Sequence, residues 1–323
     1  CEGRDRVTDD EGKPVASQRL ANGGLVILAR DVPPFSGRRY VVARGAAHID
    51  GEVKAGETWL QNEFLKVGLD PRSGGVTELR MAGSDANLVD PTGGQAVNDY
   101  LYLPGDDLAG LKSNGPVTIR LKERGPLIAS LLVSSEAPGT HTLEREIRLI
   151  AGLDHVELIN LVDKERLKAR SYHSKEGKES VNFAFPFNVP EGQVRLEVPF
   201  GVVRPDVDQI PSACKNWFTV GRWVDVANAE RGVTWVTLDA PLVQVGGVTA
   251  TLLNSQTNPD VWRKHVGPTQ KIYSWAMNNH WGTNYRAYQE GPCVFRFMLR
   301  PHRGYDPAAA TRVATGFSQP LVP

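Results

Sequence analysis

The segment HTLEREIRLI alternates along its length. Leu143, Ile147 and Leu149 fall on one face, and Glu144, Glu146 and Arg148 on the other, the period of two expected of a strand with one side buried. GLDHVELINLVDK follows at once, with Gly152 to Asp154 as a turn signal, so the two segments read as a β-hairpin. QVRLEVPFGVV, GVTWVTLDAPLVQVGG and CVFRFMLRP read the same way. The 32 Gly and 22 Pro cut the chain into short runs rich in Val, Ile, Leu, Thr and Phe, and helical periodicity is confined to PAAATRVAT near the end. Over 323 residues, this pattern predicts an all-β protein built on a large antiparallel β-sandwich.

Residues 1–47 read as a small β unit, running from VTDDEGKPVASQ through GGLVILA to RRYVVA and broken by DVPPFSG. Residues 48–56 read as a junction, and residues 57–323 as the large β-sandwich domain. Charge then narrows the partners. Lys plus Arg is 37 and Asp plus Glu is 37, so no basic field draws nucleic acid and no acidic run forms a solvating tail. No apolar stretch approaches the ~18 residues that a membrane span needs. Cys1, Cys214 and Cys293 form neither a disulfide framework nor a C-x-x-C site. The compartment therefore stays open between bacterial cytoplasm and periplasm. Cys1 admits two readings, the lipid-modified first residue of a lipoprotein or the edge of a domain cut from a longer polypeptide.

Catalytic motifs are scarce. The seven histidines (His48, His141, His155, His173, His265, His280 and His302) lie at least fourteen residues apart, without H-x-H or H-E-x-x-H spacing. Two carboxylate pairs have the local spacing that glycosidic chemistry requires. Glu144 and Glu146 share a strand face, which reads most simply as a solvated face, and Asp206 and Asp208 in RPDVDQIP read most simply as the rim of a turn. No G-x-S-x-G elbow and no phosphate-binding loop occurs. What stands out is NNHWGTNYRAYQEGP, residues 278–292. Trp281, Tyr285 and Tyr288 offer flat faces for a pyranose ring, Asn278, Asn279, Asn284 and Gln289 offer amides suited to vicinal hydroxyls, and His280 and Arg286 add donors. The same residues also suit a long loop tied to its own backbone. Tyr172 and His173, in KARSYHSKEGKES, form a weaker candidate.

Several segments, taken in order, resemble the C-terminal half of glycoside hydrolase family 38 α-mannosidases. VTDDEGKPVASQ with DVPPFSGRRYVV resembles the small β unit that follows the family's catalytic part. LQNEFLKVGLDPRSGGVTELRM resembles the opening of its large sandwich, with an Asn-Glu pair before an extended strand. KESVNFAFPFNV, RPDVDQIP, WFTVGRWVDVAN, GVTWVTLDAPLV and YSWAMNNHWGTNYRAYQEGPCVFRFMLRPH then follow in the family's order. The resemblance covers nearly the whole chain. It implies a supersandwich of the galactose mutarotase-like type. It also implies an N-terminal catalytic α/β domain, absent from this chain, that carries zinc and the nucleophilic aspartate. This chain would then need no cofactor and hold no catalytic or metal-ligating residue, and Cys1 would be the start of a fragment.

By the same resemblance, Asn278, Asn279, His280, Trp281, Asn284 and Tyr285 lie on a loop that approaches a sugar, joined by Gln289 from its composition. Asn98 and Tyr100, in GGQAVNDYLYLPGDD, would mark a second polar loop. The expected partners are a mannose-containing glycan and the catalytic domain. Two other readings stay open: a free-standing carbohydrate-binding or scaffold module, and an independent epimerase- or lyase-type enzyme drawing on residues such as His173, His280, Tyr285 and Asp208.

Overall fold

The computed structural model describes residues 3–33, 35–172, 174–249, 260, 262–280 and 286–322. Among these, two large antiparallel sheets dominate. In one, six strands lie in the order Lys112–Ser113, Asp99–Pro104, Glu179–Pro186, Lys271–Asn278, Leu242–Val245, Phe218–Thr219. In the other, nine strands begin with Val117–Arg124, Ile128–Ser135, Thr140–Ile150 and Val156–Lys164. They continue through Gly291–His302, Gly232–Thr237, Trp223–Ala227, Gln193–Val198 and Gly201–Val203.

The inner faces meet in one apolar layer. Phe183 and Phe185 from the smaller sheet interlock with Trp235 and Phe297 from the larger one, ring centroids 5.2–5.7 Å apart. All four rings are fully buried. Each such side chain contributes roughly 2–3 kcal/mol of transfer free energy, so this layer, rather than any single polar contact, holds the sheets face to face. The helix Pro307–Ser318 covers the outer face of the larger sheet through Ala310 and Ala314 against Trp223 and Met298. Asp306 caps it by accepting from the Ala308 and Ala309 amides.

The Thr140–Ile150 and Val156–Lys164 strands pair as the hairpin expected from their alternation. GVTWVTLDAPLVQVGG does not behave as a hairpin. Gly232–Thr237 belongs to the larger sheet and Leu242–Val245 to the smaller one, so the short link between them crosses the sandwich. The alternation also hides a polar member of the core face. Arg145 shares the inward side with Leu143, Ile147 and Leu149 and is fully buried. Burial pushes its pKa down to about 10, and it donates to the carbonyls of Asn98 (3.0 Å) and Ser73. On the opposite side Glu144 is partly exposed, whereas Glu146 is buried against Lys122 and Arg148. Burial opposes its ionisation, but those two cations outweigh it and hold the carboxyl below its ordinary range.

Before the sandwich lie a three-stranded sheet (Pro14–Val15, Arg6–Thr8, Val41–Ala43) and the pair Ser17–Arg19 with Leu25–Ile27. The Gln18 side chain ties them to the larger sheet, donating to Ile128 O (2.9 Å) and accepting from the Leu127 and Ile128 amides. Residues 48–56, read as a junction, carry a bridge from His48 to Ala16 and the strand Lys54–Ala55. That strand opens a four-stranded sheet completed by Trp59–Gln61, Leu65–Leu69 and Val76–Met81.

The Asn-Glu pair of that sheet has a structural job. Asn62 donates to the carbonyls of Ile150 (2.8 Å) and Leu153 (2.9 Å) and accepts from the amides of Phe64 (3.0 Å) and Leu65 (2.8 Å). Glu63 accepts from the Gly152 amide at 2.5 Å. Together they seat the 151–155 turn, where Gly152 adopts φ +80°, against the four-stranded sheet. Asn62→Ala leaves four backbone groups without their partner. It should lower stability by roughly 2–3 kcal/mol, read as a lower urea midpoint at unchanged slope. An unchanged midpoint would show that the turn seats itself.

Candidate functional site

Both sheets bring strand ends to one place. Glu179–Pro186 starts where Lys271–Asn278 finishes, with Ser180 opposite Asn278. In the larger sheet, Val156–Lys164 finishes opposite the start of Gly291–His302, with Lys164 paired to Gly291. Here the apolar layer gives way to charge. Lys164 Nζ sits 2.9 Å from Glu179 Oε2, both side chains almost fully buried, and the Tyr102 hydroxyl donates to the same oxygen at 2.8 Å. Burial, and then the Glu179 charge, push the Tyr102 phenol well above its ordinary pKa, so it stays protonated as a donor.

A cavity of about 300 Å3 opens beside this trio. Lys164, Glu179 and Ser180 line its inner wall, and Asn278, Arg286 and Gln289 line the side formed by the polar loop. Its size suits a single sugar-sized ligand. Gln289 donates to Cys293 Sγ at 3.2 Å, and the Asn278 side-chain oxygen accepts from the His280 amide at 3.3 Å. Neither contact uses the whole amide.

The other expected site residues divide. Asn279 borders the cavity, but its amide is committed to the backbone. Nδ2 donates to Gly177 O (2.7 Å) and Ala287 O (3.0 Å), and Oδ1 accepts from the Glu179 amide (2.7 Å). It closes the base of the loop and orients its neighbours, with no donor left for a ligand. His280 is buried edge-on to Trp275, with centroids 5.8 Å apart. Neither ring nitrogen has a partner among the described residues. Burial, then the nearby Lys178, push its pKa down to about 4. Trp281, Asn284 and Tyr285 lie outside the described residues, as does His173.

Asn98 and Tyr100, expected on a second polar loop, lie instead in the interior between the sheets. Asn98 exchanges amide hydrogen bonds with Asn160 at 2.8 and 3.0 Å, and the Tyr100 hydroxyl donates to Pro138 O at 2.8 Å. Both residues are buried, so neither presents a polar surface to a sugar. The Asp206 and Asp208 carboxylates are likewise engaged. Asp208 takes a two-pronged contact from Arg204 at 3.0 Å, and Asp206 accepts from the Val266 (2.7 Å) and Gly267 (3.1 Å) amides. Tyr172 does reach the site, its ring 5.2 Å from Tyr288.

Sequence reasoning missed Lys164, Glu179 and Ser180. The available signal was charge at the termini of otherwise buried strands, in VDKER and KESVNF, where ions survive only when paired. Among the described residues no three His, Cys, Asp or Glu side chains converge as metal donors. No described helix is long and apolar enough to cross a membrane.

A family model described as the glycosyl hydrolases family 38 C-terminal domain matches residues 60–261, well over half of the chain. No curated protein matches it. Among solved structures, a glycosyl hydrolase family 38 protein from Enterococcus faecalis is similar over 98% of this chain and 41% of its own, at 14% identity and TM-score 0.66. An α-mannosidase from Enterococcus faecalis V583 gives 98%, 40%, 13% and 0.64 in the same terms. This chain therefore spans about two fifths of those proteins. A galactose mutarotase-like protein from Lactobacillus casei is more distant: 11% identity, TM-score 0.41, 76% of this chain and 100% of that one.

The His280 environment sets a pH dependence. An unfolded histidine takes up its proton near pH 6.5, and the folded one only near about 4. Between those values the unfolded state binds more protons, so stability falls as pH falls through this window. From pH 7 to pH 5 the loss should be roughly 2 kcal/mol and should vanish in His280→Asn. Parallel stability curves for the two proteins would contradict this.

Proposed function

The chain belongs to the glycosyl hydrolase family 38 C-terminal domain family, and from that premise we propose that it is the sugar-facing, non-catalytic sandwich of an α-mannosidase-like glycosidase. Catalysis would reside in a separate N-terminal portion of such a protein, with the zinc and nucleophile that the resemblance implies there. The observation that supports this reading is the cavity at the converging strand ends. It holds a mixed set of donors and acceptors on rigid strands, beside the loop whose composition suits a saccharide.

The division of labour follows from chemistry. Glu179 has one oxygen fixed by Lys164 and Tyr102, so it is poised as a hydrogen-bond acceptor rather than as a mobile base. The amides of Asn278 and Gln289 supply the exchangeable donors and acceptors that adjacent sugar hydroxyls require, while the buried Ser180 hydroxyl accepts from Asn182 at 3.1 Å. Asn279 keeps those groups in register. In this arrangement binding energy comes from positioning, and the bond-breaking groups come from elsewhere.

Removing one amide from the cavity tests the reading. Gln289→Ala should weaken binding of methyl α-mannoside about tenfold, or about 1.4 kcal/mol, measured by calorimetry, while thermal unfolding stays unchanged because the side chain is exposed. Equal affinity in a folded variant would remove Gln289 from the site. Turnover of an aryl α-mannoside by this chain would contradict the non-catalytic assignment.

A further inference from the structure

Two guanidinium groups converge on one ring at the mouth of the cavity. Arg166 Cζ lies 3.7 Å from the centroid of Tyr288, and Arg286 Cζ lies 4.7 Å from it. Both distances are within the range of cation–π attraction. Neither arginine has a carboxylate within 4.0 Å among the described residues; the polar contact of Arg166 is the Tyr172 hydroxyl at 3.3 Å. Glu290 is near enough to act on Arg166 through space without pairing with it. Residues 281–285, Trp-Gly-Thr-Asn-Tyr, bring no acidic side chain. Inside the cavity the Lys164 charge is already matched by Glu179.

The interior pair is neutral, and two cations at the mouth share an aromatic face without a carboxylate in contact with either among the described residues, Glu290 acting on Arg166 only through space. A planar guanidinium is shaped to take a carboxylate or phosphate through two parallel hydrogen bonds. The amides of Asn278 and Gln289 on the loop side meanwhile suit ring hydroxyls.

We propose that the cavity takes an anionic sugar: a hexose whose hydroxyls meet Asn278 and Gln289 and whose oxyanion group, carboxylate or phosphate, meets Arg286, with Arg166 on the same Tyr288 ring adding to the positive field. This rests on the sugar-facing reading above and specifies its ligand class. Charge supplies a preference that the uncharged groups alone cannot.

The test is calorimetry on the whole chain with methyl α-mannoside, mannose 6-phosphate, mannuronate and inorganic phosphate, each at low and at 0.3 M salt (about a 5–6 Å screening length). At least one acidic sugar should bind ten times more tightly than the neutral one, and added salt should shrink that ratio. Which acid wins identifies the oxyanion. In Arg286→Gln the ratio should fall close to one. Equal affinity for acidic and neutral sugars would overturn the proposal while leaving the sugar-facing reading intact. So would a preference that persists in Arg286→Gln and in Arg166→Gln. Inorganic phosphate binding as tightly as the sugar phosphate would also overturn it, leaving a simple anion site. Binding of no sugar at all would instead bring down the reading on which the proposal rests.

Discussion

Two antiparallel sheets share one apolar layer, and the limits of that layer decide where everything else can sit. Phe183, Phe185, Trp235 and Phe297 fill the centre, where dry packing supplies most of the free energy. Toward one end the strands run out of apolar partners. Lys164 and Glu179 face each other there instead, nearly dry. Burying two ions costs several kcal/mol each, and a pair of this kind contributes little net stability. It joins the ends of Val156–Lys164 and Glu179–Pro186 across the two sheets, beside the cavity that Ser180 and Asn278 also line.

The same reasoning explains the other buried polar groups. Arg145, the Asn98–Asn160 pair, Gln18 and Asn62 each satisfy backbone or amide groups that strands leave open where a turn or a second sheet abuts them. They are joints between units. Asn279 is another, closing the base of the polar loop on residues 177–179. His280 differs because it is buried with no partner for either ring nitrogen among the described residues, an arrangement that neutral imidazole tolerates and imidazolium does not.

Much of the fold was legible in the sequence because period-two alternation reports burial directly. The 140–164 hairpin and the sandwich class follow from it, and the terminal helix from the separate helical spacing of PAAATRVAT. The crossing between Gly232–Thr237 and Leu242–Val245 was not legible, since alternation says which face is buried and nothing about which sheet a strand joins. The lining of the candidate cavity was partly legible. The amide-rich loop announced itself by composition, and Asn278 and Gln289 do line the cavity. Composition could not separate them from Asn279, whose amide serves the backbone, or from Asn98 and Tyr100, which serve the core. Lys164 and Glu179 were invisible because the pairing that makes them matter joins strands of opposite sheets.

The most direct test of this account is an amide-resolved NMR titration of the isotopically labelled chain with methyl α-mannoside. The account predicts saturable shifts centred on Glu179, Ser180, Asn278 and Gln289, with the distant sheet of Trp59–Gln61 and Leu65–Leu69 silent. A saturating titration that leaves those four residues unmoved, or one with no saturable shifts, would contradict it.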